Sequence, residues 1–128
     1  YKRQKLELLA EEIELRQQVA ARYTSKMAGL ELFTVPQIEA HNLSVYAQYT
    51  LRTPRREAAL EALKEAGVPT AIHYPLPLNR QPAVRDDMVI LPHGDRAADE
   101  VFSLPMHPYL TDEEQGGIVA ALARLGVR

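Results

Sequence analysis

Residues 45–74 read VYAQYTLRTPRREAALEALKEAGVPTAIHY, and this stretch decides the fold class. Over 45–52 apolar and polar residues alternate. Val45, Ala47, Tyr49 and Leu51 share one face, and Tyr46, Gln48, Thr50 and Arg52 share the other, which is the period of a half-buried strand. Thr53-Pro54 then predicts a helix over 54–66, with threonine as N-cap and proline at the first helical position. Ala59, Leu60, Leu63 and Ala66 form its inner face, and Gly67 ends it. Residues 68–74 resume as a short strand. Such a strand–helix–strand unit predicts an α/β fold.

Upstream, residues 3–28 read as one amphipathic helix. Leu6, Leu9, Ile13, Ala20, Tyr23 and Met27 keep the 3–4 spacing of one face, Leu8, Leu15 and Val19 widen it, and Gly29 stands where a helix stops. A rod of about 38 Å exceeds the width of a domain this small. Either one end projects or lies against something outside this sequence, or the helix folds back on its own core. Downstream, Pro69, Pro75, Pro77 and Pro82 predict an extended, stiff connector over 75–82. Gly94-Asp95 opens a short helix carrying Ala98, Val101 and Phe102, and residues 104–108 are again extended. Thr111-Asp112-Glu113-Glu114 is a capping box, and Ile118, Val119, Leu122 and Leu125 face inward from a last helix. Gly116 and Gly117 inside it each cost about 1 kcal/mol relative to Ala, with no reason visible in the sequence. The expected architecture is a small α/β layer, a few-stranded and partly antiparallel sheet covered by helices 54–66 and 112–125.

Composition narrows the function. With 128 residues, 46% hydrophobic and 25% charged, the chain is one ordinary globular domain rather than a disordered segment. A net charge of −2 gives no global field for nucleic acid or an anionic membrane. The absence of Cys excludes disulfides, thiol catalysis and thiolate metal sites. No apolar run approaches the ~18 residues of a membrane span. The start, Tyr1-Lys2-Arg3-Gln4-Lys5, has neither Met nor an apolar leader and reads as a cut inside a longer chain. His41, His73, His93 and His107 match no local metal motif. Arg52, Arg55, Arg56, Arg80 and Arg85 are interleaved with Glu57, Glu61, Asp86 and Asp87, the pattern of a solvated mixed face.

The stretch that carries chemistry is 67–82. A strand delivers His73 and Tyr74 to its end, and prolines stiffen the residues beyond it. An imidazole, a phenol, the Asn79 amide, the Arg80 guanidinium and the Gln81 amide fall within nine positions. Polar side chains ordered at a strand end on a stiff loop are a common form of pre-organised binding site. Composition alone leaves a second reading open, with His73 a satisfied core histidine and Tyr74 a half-buried packing residue.

Three segments carry a resemblance: Tyr46-Ala47-Gln48-Tyr49, the 67–82 run with His73-Tyr74-Pro75-Leu76-Pro77-Leu78, and Ser103-Leu104-Pro105-Met106-His107-Pro108-Tyr109-Leu110-Thr111. In order and spacing the chain resembles the C-terminal third of the DegT/DnrJ/EryC1/StrS family of pyridoxal-phosphate sugar-nucleotide aminotransferases, of fold type I. The Asn79-Arg80-Gln81-Pro82-Ala83 variant is most similar to members that aminate the 3-oxo form of a UDP-N-acetylglucosamine-derived uronic acid. The resemblance implies a long linking helix over 1–30 from a large domain, then a small C-terminal α/β domain over 31–128. It implies amino transfer from glutamate to a keto sugar of a nucleotide sugar, for surface polysaccharide such as lipopolysaccharide O-antigen, by a cytoplasmic homodimer. It places His73, Tyr74, Asn79 and Arg80 on the substrate side of the cleft. The cofactor-binding lysine of the family belongs to the large domain, and Lys2, Lys5, Lys26 and Lys64 do not match its context. The chain alone is therefore expected to be inactive. Two alternatives accompany this reading: a dehydratase of the same family, with histidine in place of that lysine, and a non-catalytic assembly module that uses the long helix.

Overall fold

The predicted first helix forms as α1, Lys2–Lys26, in a computed structural model that describes residues 2–126, with side chains from Leu6 onward. The side chains of Lys2 and Lys5, and the outermost residues of the two expected segments, lie outside the described residues. The apolar stripe of α1 divides in two. Val19, Ala20, Tyr23 and Met27 are buried in the core, whereas Leu6 is 68% exposed and Leu8 and Leu9 are exposed with it. Each of the two expectations for this helix thus holds in one half. Gly29 takes a φ of +85° in the turn after α1, a conformation that suits glycine.

A two-stranded antiparallel sheet carries the centre. β1, Tyr49–Arg52, pairs with β2, Val101–Leu104, in the register Tyr49↔Leu104 and Leu51↔Phe102. Isolated bridges extend it on both sides, Thr34 with Arg52 and Ala71 with Ser103. Tyr49, Leu51 and Phe102 are fully buried. On the other face the Thr50 and Ser103 hydroxyls meet at 2.9 Å. β1 is shorter than the expected 45–52, because Tyr46 turns to a φ of +43° and Val45, Ala47 and Gln48 stay exposed. The expected strand over 68–74 reduces to the single bridge at Ala71. Pro69 has no N–H to offer a ladder, and Pro75 closes the run.

α2, Arg56–Glu65, starts two residues later than expected. The Thr53 hydroxyl accepts from the Arg55 N–H at 3.2 Å, closing a turn ahead of the helix rather than capping it from position 53. Ala59 and Leu63 are buried, Leu60 packs against the core, and Ala66 is exposed. Gly67, at φ +71°, ends the helix as anticipated. Its N–H bonds Lys64 O at 3.0 Å and the Val68 N–H bonds Leu63 O at 2.8 Å, the paired hydrogen bonds of a Schellman motif. α3, Pro92–Glu100, begins ahead of the expected Gly94, since Pro92 already has the φ of a first helical turn. Val101 and Phe102, expected on this helix, belong to β2, where Phe102 faces Leu51 across the sheet.

α4, Asp112–Ala123, carries the capping box in full. The Glu114 N–H donates to Thr111 Oγ1 at 3.2 Å and the Thr111 N–H to Glu114 Oε2 at 2.8 Å. The Thr111 N–H bond, with that of the Thr111 hydroxyl, holds the Glu114 carboxyl below its ordinary pKa. Ile118, Val119 and Leu122 are buried. A Cβ at Gly116 or Gly117 would meet nothing within 4 Å, and nothing in the structure explains these glycines.

α1 is locked to α4 and the sheet by polar contacts inside the apolar core. Gln115 is fully buried. Its Nε2 donates to Val19 O at 2.9 Å, and its Oε1 accepts from Arg22 Nε at 2.7 Å. Arg22 Nη2 also reaches Leu110 O at 2.7 Å. The rings of Tyr23 and Tyr49 stack at 4.9 Å. The Tyr23 hydroxyl donates to Pro105 O at 3.0 Å, and Tyr49 shares a 2.8 Å hydrogen bond with Thr24. Burial raises the pKa of both phenols, so they remain neutral hydrogen-bonding groups.

Candidate functional site

The bridge at Ala71 sets the origin of the site. Its N–H and C=O both pair with Ser103, at 3.3 and 2.7 Å, which fixes the backbone two residues before His73. Beyond it the chain leaves the core. His73 and Tyr74 are both exposed, Tyr74 to 75%, and their rings meet edge-on at 5.8 Å. The core-packing alternative for this pair therefore does not hold in this chain. His73 borders a shallow cleft of about 240 Å³ together with Gln48, Thr70, Ser103, Pro105 and Met106. Gln48, Thr70 and His73 place hydrogen-bonding side chains at an open, part-apolar cleft, the mix that fixes a polar ligand's orientation.

The connector after Tyr74 is not extended throughout. Residues Leu78–Arg80 form a 3-10 turn entered from extended Pro77. The Arg80 N–H bonds Pro77 O at 3.0 Å and the Gln81 N–H bonds Leu78 O at 3.1 Å. Residues 78–80 contain no proline, so their N–H groups are available for this turn. Gln81 Nε2 braces it by donating to Leu76 O at 2.9 Å.

This turn carries Asn79 and Arg80 to α3 rather than to His73 and Tyr74. Arg80 Nε lies 3.2 Å from Asp95 Oδ1. Asn79 Nδ2 donates to the same Oδ1 at 3.3 Å and to Val89 O at 3.4 Å. Among the described residues no hydrogen bond or ion pair joins His73 or Tyr74 to Asn79 or Arg80. The four expected site residues thus form two pairs, and Arg80, expected on the substrate side of the cleft, already has a carboxylate partner. Asp95 was not legible as part of this region. It lies 15 and 16 positions from its partners, on a separate helix, with no local pattern to mark it.

Other arginines of the mixed face are engaged too. Arg52 Nε pairs with Glu100, Arg56 donates to Ala98 O, and Arg85 Nε lies 2.7 Å from Asp87. The two lysines whose side chains are described are ion-paired on helix surfaces: Lys26 Nζ with Asp112 at 2.9 Å and Lys64 Nζ with Glu61 at 3.9 Å. Neither is the desolvated lysine that binds a carbonyl cofactor covalently. Among the described residues no group of three or more His, Asp or Glu is placed to hold a metal ion. No helix among them is long and apolar enough to cross a membrane.

Comparison with known proteins bears on the whole fold. The family model for the DegT/DnrJ/EryC1/StrS aminotransferase family matches residues 2–123. Over 118 residues the chain is 56% identical to the UDP-2-acetamido-2-deoxy-3-oxo-D-glucuronate aminotransferase of Pseudomonas aeruginosa, covering 92% of this chain and 33% of that protein. It is 37% identical to a pleiotropic regulatory protein of Geobacillus stearothermophilus, covering 86% and 31%. Among solved structures, S. venezuelae DesV in complex with a ketimine intermediate superposes with a TM-score of 0.92 at 29% identity, over 98% of this chain and 35% of that one. A DegT DnrJ EryC1 StrS aminotransferase from Brucella abortus superposes with 0.87 at 30%, over 98% and 34%. The chain thus spans about a third of the length of the relatives it matches. It belongs to the DegT/DnrJ/EryC1/StrS aminotransferase family.

Proposed function

We propose that this chain is the substrate-side third of a pyridoxal-phosphate-dependent aminotransferase. The enzyme moves an amino group from glutamate to the keto carbon of a UDP-linked 3-oxo N-acetylhexosaminuronic acid, on the way to a surface polysaccharide. The observation that carries the reading is the exposed His73–Tyr74 pair beside an open cleft, in a chain 56% identical to an enzyme named for that substrate. The cofactor, when bound, acts as the electron sink of the transfer. Lys26 and Lys64, ion-paired on helix surfaces, do not fit it, so among the described residues no lysine is placed for the covalent step.

What these residues supply is binding and orientation. His73 and Tyr74 offer hydrogen bonds to sugar hydroxyls or phosphate oxygens. Arg80 offers a guanidinium to a carboxylate or phosphate, with its charge shared with Asp95. Pro75 and Pro77 limit the freedom that a ligand must freeze. The exposed leucines of α1 support residues 1–30 as a linking helix that packs on a large domain, with residues 31–128 as the small domain, in a cytoplasmic homodimer. The test is turnover. Full-length protein supplied with glutamate and the 3-oxo sugar nucleotide should yield the amino sugar and 2-oxoglutarate. Glutamate-independent loss of water from the sugar would instead support the dehydratase. A colourless protein without turnover would support the assembly module.

A further inference from the structure

We propose that Asp95 is the positioning residue of the 75–82 connector, holding Asn79 and Arg80 in the orientation in which they meet the anionic part of a nucleotide sugar. This rests on the sugar-nucleotide reading of the function. Asp95 sits in the first turn of α3, where its N–H bonds Leu91 O at 2.7 Å, and its side chain is 18% exposed. One carboxylate oxygen takes both the Arg80 guanidinium, at 3.2 Å, and the Asn79 amide, at 3.3 Å. Apolar packing contributes little to holding this region, because Pro75, Leu76, Leu78 and Pro82 are exposed, as are residues 83–94.

The Asn79 amide records which force sets the geometry. Its nitrogen serves Asp95 and Val89 O, and its Oδ1 is buried without a partner. Rotating the amide would turn its oxygen against the carboxylate, so the orientation follows Asp95 at the cost of an unsatisfied acceptor.

Positioning and simple electrostatics predict opposite signs. Neutralising Asp95 raises the local positive charge, which on Coulomb grounds tightens anion binding. Loss of positioning weakens it. The experiment is calorimetric titration of the full-length protein with UDP-N-acetylglucosamine, using wild type, Asp95→Asn, the Asn79→Ala/Arg80→Ala pair, and all three changes together. Thermal midpoints are recorded alongside. Asp95→Asn is expected to raise Kd about tenfold, the scale of one charge-assisted contact, and to add nothing once Asn79 and Arg80 are gone. An unchanged or lower Kd, or a tenfold loss that persists in the Asn79→Ala/Arg80→Ala background, overturns the proposal. Should Asp95→Asn fail to fold, Asp95→Glu keeps the charge on a longer arm and is judged by the same criteria. Wild-type protein that binds the sugar nucleotide but transfers no amino group overturns the aminotransferase reading alone, and the variants still decide Asp95. Wild-type protein that does not bind UDP-N-acetylglucosamine overturns the Asp95 proposal, and turnover alone then decides the aminotransferase reading.

Discussion

Replacing Gln115 with Leu keeps the volume of a fully buried side chain and removes both hydrogen bonds that tie α4 to α1. The bond to Val19 O is between neutral groups and is worth about 1 kcal/mol net. The bond from Arg22 Nε, at 2.7 Å, is charge-assisted and worth about 1.5–3 kcal/mol. Leucine recovers part of this, because a buried amide is replaced by apolar surface at about 0.5–2 kcal/mol on the octanol-like end of the transfer scales. The balance is a loss of about 2 kcal/mol, most of it from the guanidinium left short of an acceptor. Val19 O keeps a helical partner in α1, whereas Arg22 is left with its bond to Leu110 O. Urea unfolding with an unchanged m-value reads the difference directly. An Arg22→Met change combined with Gln115→Leu should be less damaging than the sum of the two. A stability change under about 0.5 kcal/mol for Gln115→Leu would refute the claim that this buried amide fixes α1 on α4.

The same geometry leads to four further outcomes. In the full-length enzyme His73→Ala or Tyr74→Phe should slow the reaction with the sugar nucleotide by about 10- to 100-fold, as expected for one or two hydrogen bonds that bound substrate shields from water. The half-reaction with glutamate should stay near wild type, and equal slowing of both halves in single-turnover absorbance would count against a substrate-side role. Pro77→Ala, at the entrance to the 3-10 turn, should raise the KM for sugar nucleotide while cofactor absorbance is retained. An unchanged KM would reduce the proline to turn punctuation. The Glu100 carboxyl is held below its ordinary value of 4.5 by hydrogen bonds from Arg96 and then Arg52. Its contribution to stability is therefore present above that value and is lost as pH falls through the lowered folded-state value. Glu100→Gln should flatten this acid limb, and an unaltered limb would show that Glu100 does not shape it. Gly117→Ala should stabilise α4 by about 1 kcal/mol, since a Cβ there meets nothing within 4 Å; loss of stability in the full-length protein would reveal a neighbour pressed on that face.

Features set by local chemistry were legible in the sequence. The Thr111–Glu114 capping box, the Gly67 terminus and the Val19–Met27 stripe each need only residues a few positions apart, and each formed. Features that depend on long-range pairing were not. Val101 and Phe102 come after Ala98 at helical spacing, and only their register with Leu51 and Arg52 draws them into a strand. Residues 45–48 alternate like a strand, yet the bend at Tyr46 has no sequence marker. It lies where Arg16 Nη1 donates to Tyr46 O at 3.1 Å, a contact made across 30 positions. At the candidate site, His73 and Tyr74 were singled out by their place at an expected strand end ahead of Pro75 and by the family resemblance. The partnership of Asn79 and Arg80 with Asp95 was not, because it exists only once the chain has returned through exposed residues 83–91.

The divided burial of α1 makes the helix a lever. Its root is clamped between Val19 and Met27, and the Leu6–Leu9 end stands about 20 Å away along the axis. A tilt of about 5° at the root moves that end by roughly 2 Å, and the relation runs both ways. Arg16 lies between the two, holding Tyr46 O and Met106 O, and Met106 lines the same cleft as His73. One side chain of α1 thus reaches the backbone of a residue in the wall of the candidate site.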